Sequence, residues 1–254
     1  MEVVAAPFPV SWDVDRNLQY IDRAMEGCRP GDLVVFPEGA LSGYSDDLSS
    51  LASLDAQRLA DALDSVHGRS ASRKLHVVIG TLWPGAERWT NAAVYLDPTG
   101  PRQWYEKVNL AYHERGVLDA GSRLPVFAIG GTRTGIQLCR ELRYPEQWRW
   151  LSLSGAQLFL YLTHAVGDPL RLPVWRSHLV SRAAENQRFV LGVNAAHETQ
   201  SCPSIIVDPQ GSVLGEIRGG QAGLLRASLD LSEVSDWYLS QARTDLLSLR
   251  SSSN

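Results

Sequence analysis

Short apolar runs alternate along the chain with stretches in which apolar residues recur every three or four positions. EVVAAPFP near the N-terminus and DLVVFP at 32–37 read as buried strands. Between them, VDRNLQYIDRAMEG sets Leu18, Ile21 and Met25 on one helical face, with Asp13 placed to cap its first turn. A second helix is predicted over Leu54–Val66, then a strand, KLHVVIGTLW. NAAVYLDPTGPRQWYEK reads as a hairpin, its turn supplied by Asp-Pro-Thr-Gly. Residues 109–124 are polar and irregular, and read as a loop.

The second half continues in the same style. PVFAIG and TGIQLC are strands, and Tyr144-Pro145-Glu146 opens a helix running to about Ser154. QLFLYLT is a strand, residues Val174–Asn186 a helix, and RFVLGVN a strand. A second hairpin, SIIVDPQGSVLGEI, repeats the Asp-Pro-x-Gly turn, and no repeat extends beyond it. Hairpins mixed with crossover units predict an α/β layered domain rather than a TIM barrel, which needs eight regular βα units. No Ser/Gly linker divides the chain, so 1–254 is expected to be a single domain, ordered over about 2–240, with SLRSSSN as a frayed tail.

Composition narrows the function. At 254 residues with 44% hydrophobic and 20% charged residues, the chain has the make-up of a soluble globular protein. A net charge of −4 argues against nucleic acid as partner. No run reaches the ~18 apolar residues of a membrane span, and the N-terminus lacks the basic start of a secretory signal. Cys28, Cys139 and Cys202 are odd in number and far apart, which suits a reducing cytoplasm. Of 24 basic residues only Lys74 and Lys107 are lysines, a hint that an ammonium is wanted where one is kept.

Several chemistries lack their motifs. There is no GxxxxGK[ST] or GxGxxG loop, no HExxH or CxxC, and no GxSxG elbow. No metal and no cofactor are expected. Three segments remain. In VVFPEGALSGY, Glu38 follows a buried strand, where partial desolvation suits a general base. In WYEK, Lys107 ends an apolar strand, where a fixed ammonium can hold a developing oxyanion. In TGIQLCRELRYPE, Cys139 sits on a strand-to-helix turn, a place expected to favour the thiolate. Each is ordinary alone, since loop acids, strand-end lysines and buried cysteines are common. Together they supply nucleophile, proton shuttle and oxyanion donor for attack on a C–N carbonyl or nitrile. Cys28 and Cys202 read as structural.

These blocks resemble the nitrilase superfamily of carbon–nitrogen hydrolases, over about Glu2 to Leu231. FPEGALSGY is similar to the family's Glu block, YEKVNL to its Lys block, and LCRELRYPE to its Cys block. HERGVLDAG matches the acid and glycine that follow, and WRSHLVSRAAENQRFVLGVN and SIIVDPQGSVLGE resemble two later stretches. The resemblance implies an αββα sandwich, a homodimer and a small-molecule amide substrate. It implies that Cys139 attacks, Glu38 shuttles the proton, Lys107 and the Arg140 N–H hold the oxyanion, and Glu114 positions substrate and Lys107. Tyr44, Arg140 and His164 are candidate substrate-binding residues. Arg directly after the nucleophile departs from the usual Tyr or Trp; facing the pocket it reads an anionic substrate, facing outward it pairs with Glu141 or Glu146. His164 either lines the pocket or is satisfied by backbone near its strand end. Three functions remain open at this stage: hydrolysis of an amide or N-carbamoyl bond, acyl transfer from the same thioester, and non-catalytic binding.

Overall fold

The computed structural model describes residues 1–249. The tail predicted to fray from 248 lies mostly outside the described residues. The first half runs β1 (Glu2–Ala5), α1 (Val14–Glu26), β2 (Leu33–Val35), α2 (Ala56–Arg73), β3 (His76–Pro84), β4 (Trp89–Leu96), β5 (Gln103–Glu106) and β6 (Leu118–Asp119). The second runs β7 (Val126–Ile129), β8 (Thr132–Leu138), α3 (Pro145–Leu153), β9 (Leu158–Thr163), α4 (Leu172–Asn186), β10 (Phe189–Asn194), β11 (Ser204–Val207) and β12 (Val213–Ile217). It ends with β13 (Leu225–Ser228) and the short helix α5 (Trp237–Ser240).

The strands form two sheets, ordered β13-β1-β2-β3-β4-β5 (with β6 on β4) and β12-β11-β10-β9-β8-β7. In each sheet three neighbouring strands are parallel and joined by crossovers, β1-β2-β3 and β8-β9-β10, and the outer pairings are antiparallel except the short parallel pair of β6 on β4. The halves therefore share one topology. The two Asp-Pro-x-Gly turns occupy the equivalent β4–β5 and β11–β12 hairpins, so a repeat invisible beyond four residues of sequence extends through the whole architecture.

Strand alternation builds the layers. Val3, Ala5, Leu33, Val35, Leu158, Leu160 and Leu162 point between the sheets. Their neighbours Val4, Val34 and Phe36 point the other way, onto Ile21 and Met25 of α1 and Leu59, Leu63 and Val66 of α2. Phe159 and Tyr161 meet Trp148 of α3 and Leu179 of α4. The result is the expected αββα sandwich. Asp13 caps α1 as predicted, accepting from the Asp15 and Arg16 amides.

Three elements differ from the sequence reading. Helix α2 runs on to Arg73 rather than ending at Val66, because Ser70 is buried on its core face and bonds Leu75 O at 2.7 Å, and Lys74 then caps it in the left-handed region. The 109–124 segment holds a single 3-10 turn, Tyr112–Glu114, and β6. Strand β13 has no counterpart in the pattern analysis; it pairs antiparallel with β1 at the other end of the chain. Among the described residues no helix is long and apolar enough to cross a membrane.

Candidate active site

The parallel strands of both sheets release their chemistry at their carboxyl ends, where α/β sheets gather sites. Glu38 follows β2 in a turn pinned to β3 by Phe36 N to Val78 O at 2.9 Å and Leu41 N to Gly80 O at 3.0 Å. The approach is possible because residue 80 has no side chain: a Cβ there would lie 2.4 Å from Pro37 O and 2.6 Å from Glu38 Cα. Lys107 follows β5 and extends its pairing through N–H to Asn91 O at 2.8 Å. Gly121 then donates to Lys107 O at 2.9 Å, and a Cβ on Gly121 would meet Glu106 O at 2.3 Å. The family-like glycine at 121 thus serves backbone packing behind Lys107.

Glu38, Lys107 and Glu114 are all fully buried. Lys107 Nζ donates to Glu38 Oε1 and to Glu114 Oε1, each at 2.9 Å. Asn91 Nδ2 donates to the same two oxygens, at 2.8 Å and 2.7 Å. Tyr44 OH donates to Glu114 Oε1 at 2.6 Å, and the Ala111 amide donates to Glu114 Oε2 at 2.5 Å. Glu38 Oε2 accepts from the His164 amide at 2.9 Å. Burial depresses the lysine's pKa, yet the charges of Glu38 and Glu114 outweigh it and hold Lys107 above its ordinary value. Burial likewise works against ionised Glu114, and the Lys107 charge with the bonds from Tyr44, Lys107 and Asn91 carries it below the usual carboxylate value. Both groups are charged at neutral pH.

Cys139 leaves β8 with φ +38°, left-handed backbone for a non-glycine residue. Such a conformation costs about 1–3 kcal/mol and persists where surroundings impose it. Tyr161 OH supplies one restraint, donating to Cys139 O at 2.8 Å. The turn does not favour the thiolate as the sequence suggested. Burial and the Glu38 charge push the thiol up to about 12, against the pull of Lys107 and the Thr163 hydroxyl. The following turn is a 3-10 segment, Cys139–Arg143, and its backbone dipoles do not offset an enclosed site with two carboxylates and one ammonium.

Seven predicted site residues sort as follows. Glu38, Lys107, Glu114 and Tyr44 form one hydrogen-bonded cluster, and the register of β8 on β9 sets Cys139 beside Thr163, next to the His164 amide that bonds Glu38. His164 joins it twice, through its amide on Glu38 and through its ring edge on Tyr44 at 5.7 Å between centroids. Arg140 is half-buried on the turn after Cys139. Of the two ion pairs that the outward reading offered, with Glu141 or Glu146, neither forms, and Glu141 is turned inside. Glu141 Oε1 accepts from Val108 N at 2.8 Å and Asn109 N at 3.1 Å, and Oε2 from Leu138 N at 2.7 Å, with Tyr105 OH 2.8 Å from both oxygens. It ties the Lys107 loop to the Cys139 turn. Asn91, Glu141 and His113, whose Nε2 lies 2.9 Å from Tyr44 OH, were not singled out from the sequence. A lone Asn opening the apolar run NAAVYL was the available signal for the first.

A family model described as carbon-nitrogen hydrolase matches residues 3–238. The chain belongs to that family. This carbon–nitrogen hydrolase is 31% identical over 218 residues to an (R)-stereoselective amidase of Pseudomonas sp., covering 80% of this chain and 76% of that protein. It is also 31% identical over 216 residues to the 2-oxoglutaramate amidase of Bacillus subtilis, covering 81% and 80%. A solved structure of a mutant amidase from Nesterenkonia sp. AN1, carrying the acetamide moiety of fluoroacetamide on its active-site cysteine, matches with TM-score 0.83 and 26% identity over 97% of this chain and 95% of that one. The protein is thus an enzyme of the nitrilase superfamily, a hydrolase of non-peptide carbon–nitrogen bonds. Among the described residues no group of His, Cys, Asp and Glu could hold a metal ion.

Proposed function

We propose that this enzyme hydrolyses a small linear amide or N-carbamoyl compound through a thioester on Cys139, releasing ammonia or an amine. The observation that carries the reading is the fully buried Lys107 ammonium, 2.9 Å from both Glu38 and Glu114. A thiol pushed up to about 12 is rarely ionised in advance. Attack is therefore coupled to proton transfer: Sγ bonds the substrate carbon as its hydrogen passes to Glu38, and the carbonyl π pair moves onto oxygen. Lys107 has three N–H donors and commits two, to Glu38 and Glu114. The third faces the oxyanion together with the Arg140 N–H. Collapse breaks the C–N bond, and the leaving nitrogen takes the proton from Glu38. Glu38 then draws a proton from water, whose oxygen attacks the thioester, and the proton returns to sulfur as the acid leaves. Glu114, held by four donors, keeps Lys107 in place.

Arg140 is proposed to read an anionic group on the substrate, since Glu141 is buried and committed elsewhere and Glu146 makes no ion pair with it. His164 and Tyr44 are proposed to line the remainder of the pocket. The assembly is proposed to be a cytoplasmic homodimer, on the family resemblance and the three unpaired cysteines. The test is ammonia release from a panel of ω-amides, N-carbamoyl compounds and neutral amides, with wild type, Cys139→Ala and Arg140→Ala side by side. Release by wild type and not by folded Cys139→Ala is expected. Arg140→Ala is expected to lose its preference for acidic amides over neutral ones by about tenfold or more. Turnover retained in Cys139→Ala overturns the thioester, and an unchanged preference removes Arg140 from the pocket.

A further inference from the structure

Thr163 closes β9, and the parallel register that pairs Leu138 with Leu162 brings position 163 alongside Cys139. The next amide, His164 N, donates to Glu38 Oε2 at 2.9 Å. Thr163 therefore stands on the backbone between nucleophile and base. Its side chain is fully buried, and its Oγ1 has no hydrogen-bond partner in the resting site. A buried hydroxyl left unpaired is unfavourable, and valine has nearly the same shape without it. The hydroxyl nonetheless acts on the thiol, in the direction that favours the charged sulfur. Lys107 acts the same way, while burial and Glu38 act against it. Tyr161 is the neighbouring hydroxyl, and its own hydrogen is committed to Cys139 O at 2.8 Å.

We propose that Thr163 is a positioning residue for the nucleophile, its hydroxyl turning a hydrogen onto Cys139 Sγ as negative charge collects there and holding the sulfur in line for attack. No bond to Thr163 is made or broken; the thiol proton still passes to Glu38, and Thr163 keeps its own. The hydrogen bond exists only in the charged states, which accounts for an orphaned hydroxyl at rest. This assignment deepens the thioester reading and rests on it, but its test does not need a substrate. Iodoacetamide alkylates Cys139 itself, and peptide mapping separates that adduct from Cys28 and Cys202.

The experiment compares wild type, Thr163→Val, Thr163→Ser and Tyr161→Phe. The readouts are the alkylation rate of Cys139 across pH, kcat and KM on the best amide of the panel, and the urea midpoint. Thr163→Val is expected to slow neutral-pH alkylation by about tenfold and displace its profile upward, the effect of losing one hydrogen bond to a charged group. Its kcat falls by a similar factor with KM little changed, while the urea midpoint stays or rises because an unpaired hydroxyl has gone. Thr163→Ser is expected to recover alkylation to within about threefold. A wild-type alkylation profile in Thr163→Val overturns the assignment, whatever turnover does. So does a serine variant as slow as the valine one. A Tyr161→Phe variant that matches Thr163→Val in kcat, with neither moving the alkylation profile, assigns the hydroxyl to the tyrosine instead. If no amide of the panel is turned over, the thioester reading fails while the alkylation comparison still decides Thr163.

Discussion

An ammonium without exposure survives in a protein interior only when anions face it. Lys107 has two, and a third buried acid, Glu141, ties the Lys107 loop to the Cys139 turn. Every contact of Glu141 is a donor: the amides of Leu138, Val108 and Asn109, and the Tyr105 hydroxyl. Glu141→Gln keeps the shape but turns an amide NH2 toward at least one of these N–H groups. It is expected to cost about 1–3 kcal/mol in urea unfolding and to lower kcat more than it raises KM, since Lys107 and Cys139 lose a common strut. The same residue shapes the pH dependence of stability. Burial is the largest influence on Glu141 and raises it from 4.5 to about 7, with its hydrogen bonds and Lys107 opposing. Below the lower value both folded and unfolded chains hold the proton. Between the two the unfolded chain releases it first, so this contribution is lost as pH rises toward 7. The loss is on the order of 3 kcal/mol, and the slope it produces between pH 4.5 and 7 is expected to be absent from Glu141→Gln.

At the scale of elements, the site depends on strands placing their ends side by side in fixed register. Gly80, in the middle of β3, is where the Glu38 turn lies flat on the sheet. Gly80→Ala forces a Cβ into Pro37 O and the Glu38 backbone, neither of which is a flexible side-chain end. The expected result is a loss of about 1–3 kcal/mol, with kcat/KM reduced at least about tenfold because the proposed base, Glu38, is displaced. A variant with wild-type kinetics would show that the turn relaxes without moving Glu38. The same scale explains what could be read from the sequence. Glu38, Lys107 and Cys139 stand where apolar runs break into charge, so strand ends announced them. Asn91 opens NAAVYL and Thr163 closes QLFLYLT, and a single uncharged polar residue at the end of an apolar run reads as ordinary strand. Glu141 was legible as an acid near the nucleophile, but spacing alone does not say which way a 3-10 turn points its third residue. Here that residue faces in and bonds the Leu138 amide three positions back, as Glu114 bonds Ala111.

For the whole molecule, the two sheets share a topology but not a chain order. The second sheet begins with its own hairpin, β7–β8, whereas the matching edge of the first is filled by β13 from the far end of the chain. Four residue pairs, Glu2–Ala5 on Leu225–Ser228, join the termini, and the ladder continues with Leu229 N to Met1 O at 2.8 Å. Arg226 also pairs with the buried Asp32 at 2.8 Å, at the start of β2. Leu225 packs on Gly215 of β12, where any Cβ would lie 2.7 Å from Leu225 Cδ1, so β13 touches the second sheet as well. So short and so distant a partner leaves no hydrophobic period to read, which is why LLRAS passed unnoticed in the sequence. Its structural weight is nevertheless large. Deleting residues 225–254 opens the edge of β1, leaves Asp32 buried without its arginine, and uncovers the interface between the sheets on which Glu38 and Cys139 both depend. An exposed edge of this kind is a template for aggregation. That truncation is expected to lack a cooperative urea transition and to lose alkylation specificity for Cys139. Deleting only 241–254 removes a segment whose Leu246 and Leu247 are 75% and 77% exposed. It is expected to change stability by less than about 1 kcal/mol. Equal behaviour of the two truncations, measured by circular dichroism in urea, would mean that the C-terminal strand decorates the first sheet rather than completing it.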